Sequence, residues 1–130
     1  EYYEFISVND QRFVDTVMAI RKELEYNGLL YRYKNRDDFG LPKSAFTICS
    51  FWLINSLYKI GRKKEAMNKF HTLLGYSNHL GLFSEDLDFE TKRMLGNFPQ
   101  AYSHLALIQT AIIISNGELT EEEEILDYLQ

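Results

Sequence analysis

Two segments of the chain, residues 45–60 and 100–115, are apolar around almost the whole circumference that a helix would present. A helix that is apolar on all sides is buried on all sides. Other segments have one apolar stripe of helical period with charged residues opposite, a pattern typical of amphipathic helices. These segments are residues 11–26, 62–76 and 120–129. The sequence therefore predicts an all-α fold in which amphipathic and buried helices alternate.

The predicted helices are separated by residues that stop helices. Asp10 is suited to cap the first helix at its N-terminus, because its carboxylate can accept from the amides of the first turn. Asn27–Gly28 is predicted to end that helix, and Asn116–Gly117 to end the second buried one. Thr120 and Glu123 have the spacing of a capping box, which predicts a further helix after that break.

A weak internal repeat relates the two buried helices. Pro42 and Pro99 each precede one of them, and Gly61 and Gly117 each follow one at nearly the same spacing. Helix pairs of this kind stack side by side, because one pair cannot bury its own apolar face. Alternating inner and outer helices suggest two concentric rings. The long loops 27–44 and 77–99 should then converge at one end, where a rigid scaffold positions functional residues.

Charge and composition exclude several classes of function. The formal net charge is −5 and the isoelectric point about 5.2, whereas a nucleic-acid-binding surface needs clustered Lys and Arg. The apolar runs are shorter than the roughly 18 residues of a membrane span. Cys49 is the only cysteine, so no disulfide can form within the chain. No signal peptide is visible in a chain that begins at Glu1. We expect a cytoplasmic protein that binds neither nucleic acid nor membrane.

The second long loop contains an acidic cluster that offers a candidate catalytic carboxylate. Glu85 follows Ser84 and is close in sequence to Asp86, Asp88 and Glu90. One interpretation is a general base at the floor of a cleft; the other is a solvated acidic loop. Both remain open on these residues alone. The apolar residues throughout residues 80–104 favour an ordered loop over a disordered linker.

The first long loop offers a candidate ligand-binding arginine. Arg32 lies beside Tyr33, and its fixed fork of donors could hold a polyhydroxylated ligand. It could equally pair with Asp37 or Asp38 and hold the loop together. His104 is expected to be a satisfied core histidine, and Cys49 a core residue. The spacing of the three histidines is not that of a zinc site, and we expect neither a metal nor a cofactor.

Four stretches, in this order, resemble the glucoamylase-like glycoside hydrolases of family 15, which include glucoamylases, glucodextranases and microbial trehalases. They are GLLYRY, AFTICSFWLINSLYKIGRKKEA, NHLGLFSEDLD and LGNFPQAYSHLALIQTA, within about residues 10–115. The resemblance implies an (α/α)₆ barrel, six inner helices inside six outer ones, of which residues 1–130 would be a C-terminal portion. Missing helices of the same catalytic domain would then cover the surplus apolar surface of a chain that is 15% aromatic.

The resemblance also implies site residues. Family members invert at the anomeric carbon with two carboxyl groups, one acid and one base, and Glu85 is similar to the general base. The general acid would belong to an earlier loop, so we expect this chain alone to be inactive. Arg32 resembles the arginine that binds hydroxyls of the terminal glucose, and Asp38 would orient it. Phe46 stands where some fungal members have tryptophan and is included among the substrate-binding residues.

The activity that this resemblance implies is hydrolysis of an α-glucoside. The main hypothesis is an exo-acting enzyme of glucoamylase type, a glucan 1,4-α-glucosidase that releases β-glucose from the non-reducing ends of α-glucans in polysaccharide degradation. Trehalase and glucodextranase are alternatives within the family. An alternative of another class is a non-catalytic helical module whose acidic loops bind a protein partner.

Overall fold

The computed structural model describes residues 5–38 and 40–128, with side chains described as far as Gly117. Within these residues the chain forms four helices and five short strands. The helices are α1 (Gln11–Leu24), α2 (Thr47–Lys59), α3 (Lys63–Leu74) and α4 (Ala101–Tyr128). The strands are β1 (Glu25–Tyr26), β2 (Leu29–Leu30), β3 (Ser44–Phe46), β4 (Asp86–Asp88) and β5 (Met94–Leu95). The chain is thus helix-rich, as expected, but two small sheets accompany the helices of the predicted all-α fold.

Helix α1 begins where the sequence predicts and ends two residues early. The Asp10 carboxylate accepts from the backbone N–H of Arg12 at 2.9 Å, which confirms the predicted cap. Asn27 and Gly28 do not terminate the helix; they form the turn of the β1–β2 hairpin, with φ of 47° and 81°. Two successive residues with positive φ are typical of the tight hairpin turn whose twist matches the strands. Asn27–Gly28 was therefore correctly recognised as a break, but the break is a hairpin turn and not a helix C-terminus.

Helix α2 is the centre of the fold, as its apolar circumference predicts. It packs against both α3 and α4, and Phe51, Ile54 and Leu57 are almost fully buried. Phe51 contacts the rings of Phe70 on α3 and Phe83 in the following loop, with centroids 6.3 and 5.5 Å apart. Trp52 of the same helix, in contrast, is 38% exposed.

Helix α4 is buried on one side only, which corrects the prediction that it is buried all round. Its side facing α2 includes the buried residues Ala106, Thr110 and Ile114. Its other side exposes large apolar side chains that no described part of the chain covers. These are Tyr102, Leu105, Ile108 and Ile112, each more than half exposed.

The predicted break at Asn116–Gly117 is also wrong, because α4 continues through both residues to Tyr128. A Cβ atom built on Gly117 would lie 2.1 Å from the hydroxyl oxygen of Tyr58 on α2. The glycine therefore allows two helices to approach closely and does not end one of them. Thr120 and Glu123 lie inside the same helix, and their side chains are outside the described part of the structure.

A three-stranded antiparallel sheet in the order β3–β4–β5 joins the two long loops. Ala45 pairs with Leu87, and Leu87 pairs with Met94, so the first loop meets the second directly before α2 begins. The predicted convergence of the loops is confirmed. Among the described helices, none combines the length and apolarity that crossing a bilayer requires.

Candidate active site

The main chain of Glu85 is held between the start of α2 and the end of β5. Its carbonyl accepts from the N–H of Thr47, the first residue of α2, at 3.0 Å. Its own N–H donates to the carbonyl of Asn97 at 2.8 Å. Both backbone groups of Glu85 are therefore bonded to segments far away in sequence, and the side chain leaves the backbone from a fixed point.

One oxygen of the Glu85 carboxylate is held by two donors from a single residue. Oε2 accepts from the backbone N–H of Asn97 at 3.1 Å and from its Nδ2 at 2.8 Å. Hydrogen bonds to a charged acceptor are stronger than those between neutral groups. The half-buried carboxylate is thus oriented, in contrast to the solvated acidic loop that the sequence left open.

Buried polar contacts anchor the segment that precedes Glu85 to helix α4. The Ser103 hydroxyl donates to the carbonyl of Ser84 at 2.8 Å, and both serines are buried. His104 accepts the N–H of Phe83 at Nε2, 3.2 Å away, and its Nδ1 lies 2.7 Å from the carbonyl of Gln100. Both ring nitrogens are satisfied when the proton is on Nδ1. The prediction that His104 is a structural histidine is confirmed.

Glu85 opens onto a cavity of about 570 Å³ where the two long loops meet. This volume lies in the range of pockets that hold small molecules, roughly 300–1,000 Å³. The described residues that line it are Arg32, Tyr33, Asp37, Gly40, Leu41, Pro42, Ser44, Phe46, Glu85 and Asp86. Of the four site residues predicted from the sequence, Glu85, Arg32 and Phe46 therefore share one cavity.

The guanidinium of Arg32 lies against two aromatic rings of this cavity. Its Cζ atom is 5.3 Å from the ring centroid of Phe46 and 5.7 Å from that of Tyr33. Cation–π attraction to these rings favours this position of the guanidinium, whose N–H donors could bind a ligand in the cavity. The Tyr33 hydroxyl donates to the carboxylate of Asp37, and this bond raises the pKa of Tyr33.

Asp38, predicted to orient Arg32, has a different position from the other three residues. It is exposed in the turn between Asp37 and Gly40, which are joined by two backbone hydrogen bonds of 3.0 Å. Asp38 is not among the described residues that line the cavity, whereas Asp37 is. Its assigned role stays a prediction.

Asp86 is a second carboxyl group of the cavity, and its environment differs from that of Glu85. Burial raises the pKa of Asp86 above its ordinary value, and the negative charge of Glu85 acts in the same direction. A hydrogen bond from the Ser44 hydroxyl and the charge of Arg32 oppose this shift. Burial is the largest of these effects, so the net shift of the pKa of Asp86 is upward.

The contacts of Ser44 and Asn97 were not predicted from the sequence. Ser44 becomes part of the cavity only because β3 pairs with β4, opposite Asp88 and beside Asp86. Asn97 follows Gly96, which has φ of 73°, and a glycine–asparagine pair after a short extended segment was the available signal of a special turn.

A larger cavity of about 720 Å³ lies between the β1–β2 hairpin, α2 and α3. Its carboxylate, Glu65, is held in ion pairs with Arg21 at 2.6 Å and Arg62 at 2.7 Å. Neither Glu85 nor Arg32 lines this cavity. The smaller cavity at Glu85 is therefore the candidate active site.

The described side chains form neither a candidate metal site nor an activated cysteine. Nowhere in that part of the chain do three or more His, Cys, Asp or Glu side chains come close enough to hold a metal ion. Burial raises the pKa of the Cys49 thiol to about 11. A thiol with so high a pKa is a poor nucleophile at neutral pH, in agreement with the prediction of a core residue.

Comparison with known proteins identifies the family. Residues 2–112 match the family described as Glycosyl hydrolases family 15. The chain belongs to this family. No solved structure gives a significant match to it.

Curated relatives of this family 15 chain are named trehalases. The trehalase of Mycolicibacterium smegmatis is 41% identical over 117 residues, which are 88% of this chain and 18% of the relative. The trehalase of Thermoplasma acidophilum is 42% identical over 109 residues, 82% of this chain and 19% of the relative. Trehalase 1 of Sulfolobus acidocaldarius is 36% identical over 106 residues, again 82% and 19%. The family 15 chain thus spans less than a fifth of the length of these relatives.

Proposed function

We propose that this chain supplies the general base and part of the glucose-binding site of an inverting α-glucoside hydrolase that acts on trehalose. The observation that carries the proposal is the oriented Glu85 carboxylate in a cavity that it shares with Arg32. In inverting enzymes a carboxylate activates water on the face of the sugar opposite the departing oxygen, and a carboxylic acid protonates that oxygen. Glu85 is the carboxylate of this pair.

We propose trehalose as the substrate in place of the α-glucans of the main hypothesis. The main hypothesis from the sequence was an enzyme of glucoamylase type, with trehalase as an alternative. The relatives compared above are named trehalases and cover at least 82% of this chain. The comparisons therefore favour the alternative.

The residues of the cavity suit a glucosyl ring. Arg32 presents planar donors for sugar hydroxyls, and Phe46 and Tyr33 contribute apolar ring surface to the lining of the cavity. Asn97 occupies Oε2 of Glu85, so Oε1 remains to accept a proton from the attacking water. The general acid would lie about 6.5–9.5 Å from this carboxylate, which leaves room for the water.

We further propose that residues 1–130 are the C-terminal part of a larger (α/α)₆ catalytic domain. The exposed apolar side of α4, formed by Tyr102, Leu105, Ile108 and Ile112, supports this proposal. Exposed apolar patches of this kind mark a surface that another element covers. The preceding part of the same domain would cover it and would carry the general acid.

Hydrolysis by the full-length protein tests these proposals. We expect activity on trehalose exceeding that on maltose and isomaltose, and none from the isolated 130-residue chain. Proton NMR during the first turnovers should show equal amounts of α- and β-glucose from trehalose. The attacked glucosyl unit inverts, while the departing glucose keeps its α configuration. A preference for maltose would reinstate the glucoamylase hypothesis, and release of α-glucose alone would exclude inversion.

Substitution of Glu85 distinguishes a catalytic base from a residue of a non-catalytic interaction module. We expect Glu85→Gln to lower kcat about 10²–10⁴-fold, the usual contribution of a general acid or base. Glu90→Gln is the matched control, because Glu90 is exposed in the same loop and lies outside the described cavity lining. Unchanged hydrolysis by Glu85→Gln would reject the assignment and favour a non-catalytic interaction module.

A further inference from the structure

The segment directly after β5 contains one residue more than a continuation of the β4–β5 register would require. Asp86 pairs with Leu95 and Leu87 with Met94, so continuing the register would place Glu85 opposite Gly96. The N–H of Glu85 instead donates to the carbonyl of Asn97. Gly96 is the extra residue, with φ of 73°. This is a β-bulge with glycine in the left-handed conformation, a device that redirects the side chains next to it.

The bulge brings two donors of Asn97 to one oxygen of Glu85. The backbone N–H of Asn97 would otherwise bond to the carbonyl of Glu85, but that carbonyl is occupied by the N–H of Thr47. The N–H and the Nδ2 group converge on Oε2 at 3.1 and 2.8 Å. Among the hydrogen bonds between described residues, none is made to Oε1.

We propose that Asn97, placed by the Gly96 bulge, is a positioning residue that dedicates Oε1 of Glu85 to proton transfer. The inference rests on the proposed function of Glu85 as the base. Two donors on one oxygen fix the rotation of the carboxylate, and correct geometry is a prerequisite of proton transfer. Asn97 acts through Glu85, since it does not line the cavity itself.

A double-mutant cycle in the full-length protein tests this action through Glu85. We expect Asn97→Ala to lower kcat on trehalose about 10–100-fold, the effect of losing one hydrogen bond to a charged group. The KM for trehalose should change by less than about threefold, and in the Glu85→Gln background Asn97→Ala should cause no further loss. A purely structural role of Asn97 predicts the same fractional loss in both backgrounds, and such additivity would overturn the proposal.

The pH–rate profile gives a second readout. Asn97→Asp places a carboxylate against Glu85, and like charges disfavour ionisation of both groups. The acidic limb of kcat should therefore move to higher pH. Asn27→Asp is the matched control, because Asn27 also donates through Nδ2 to a glutamate, Glu90 at 3.4 Å, but outside the described lining of the cavity. The control should leave the limb unchanged.

The outcomes distinguish this inference from the proposed function. Full activity of Glu85→Gln on trehalose would reject both, because no base would then need positioning. Loss of activity in Glu85→Gln, together with an unchanged kcat and acidic limb in both Asn97 variants, would overturn only the role of Asn97. The positioning role of Asn97 would be supported if the acidic limb of kcat in Asn97→Asp moved to higher pH and kcat recovered above that limb.

Discussion

The backbone of Gly96 lies so close to Glu85 that a Cβ atom built on the glycine would be 2.9 Å from Oε2 and 3.1 Å from Cβ of the glutamate. Contacts below about 3 Å require atoms to move, and the neighbouring Cβ belongs to the rigid part of Glu85. The absence of a side chain at Gly96 therefore allows the carboxylate to occupy its observed position.

We expect Gly96→Ala to displace the Glu85 carboxylate and to lower kcat on trehalose about 10²-fold, since misplacement of a catalytic group by about 1 Å has effects of this size. Gly81→Ala is a matched control. Gly81 has a similar φ of 75°, but a Cβ atom there would meet nothing within 4 Å. Both variants should lose about 1–2 kcal/mol of stability from the left-handed backbone. Equal kcat values in the two variants would contradict the close contact.

Replacement of Arg32 should weaken substrate binding more than it slows catalysis. Arg32→Lys keeps the positive charge but loses the planar fork of donors that lies over the rings of Phe46 and Tyr33. We expect KM for trehalose to rise about tenfold, with kcat within about threefold of the wild-type value. Arg36→Lys, in the same loop but outside the described lining of the cavity, should leave both constants unchanged. Steady-state kinetics of the full-length protein would measure this split.

Asp86 should make the protein less stable as the pH rises. Burial raises the pKa of Asp86 above its ordinary value of 3.8, so the folded state binds a proton more tightly than the unfolded state. The resulting stabilisation is complete below pH 3.8 and is lost as the pH rises through the pKa of the folded state. We therefore expect Asp86→Asn to gain stability relative to the wild type between pH 3 and pH 7, measured by thermal unfolding.

Asp88, on the same strand, provides a control of opposite sign. Hydrogen bonds from the backbone and side chain of Thr91 lower the pKa of Asp88 below 3.8. Its stabilisation is present above pH 3.8 and is lost as the pH falls through the pKa of the folded state. Asp88→Asn should thus lose stability relative to the wild type over the same pH range. Parallel pH profiles for both variants would show that burial does not dominate at Asp86.

Substitution of Gly117 by alanine should destabilise the protein, whereas the same substitution at an ordinary helical glycine stabilises it. Alanine is favoured over glycine in a helix interior by about 1 kcal/mol. Here its Cβ would lie 2.1 Å from the Tyr58 hydroxyl oxygen and 2.8 Å from Cζ. We expect Gly117→Ala to destabilise the protein by about 1–3 kcal/mol, as overpacking does. Ser115→Ala, exposed on the same helix, should be neutral or slightly stabilising; a stabilising Gly117→Ala would refute the contact with α2.

Features that depend on neighbours in the sequence were predicted correctly. The apolar stripes of α1 and α3, the burial of α2 and the cap at Asp10 follow from helical periodicity and local hydrogen bonding. The resemblance to family 15 also singled out Glu85, whose role as general base stays a prediction. These features need only a few adjacent residues, so a single sequence contains the information.

Features that depend on distant parts of the chain were decided by the tertiary structure. The strands have only two or three residues each, too few for an alternating pattern to be recognised. Helix α4 continues through Gly117, where Tyr58, on another helix, packs in the space that a side chain would need. The orientation of Glu85 depends on a bulge between strands and on the amide of Thr47. Such contacts join residues that only the folded chain brings together, and no local pattern specifies them.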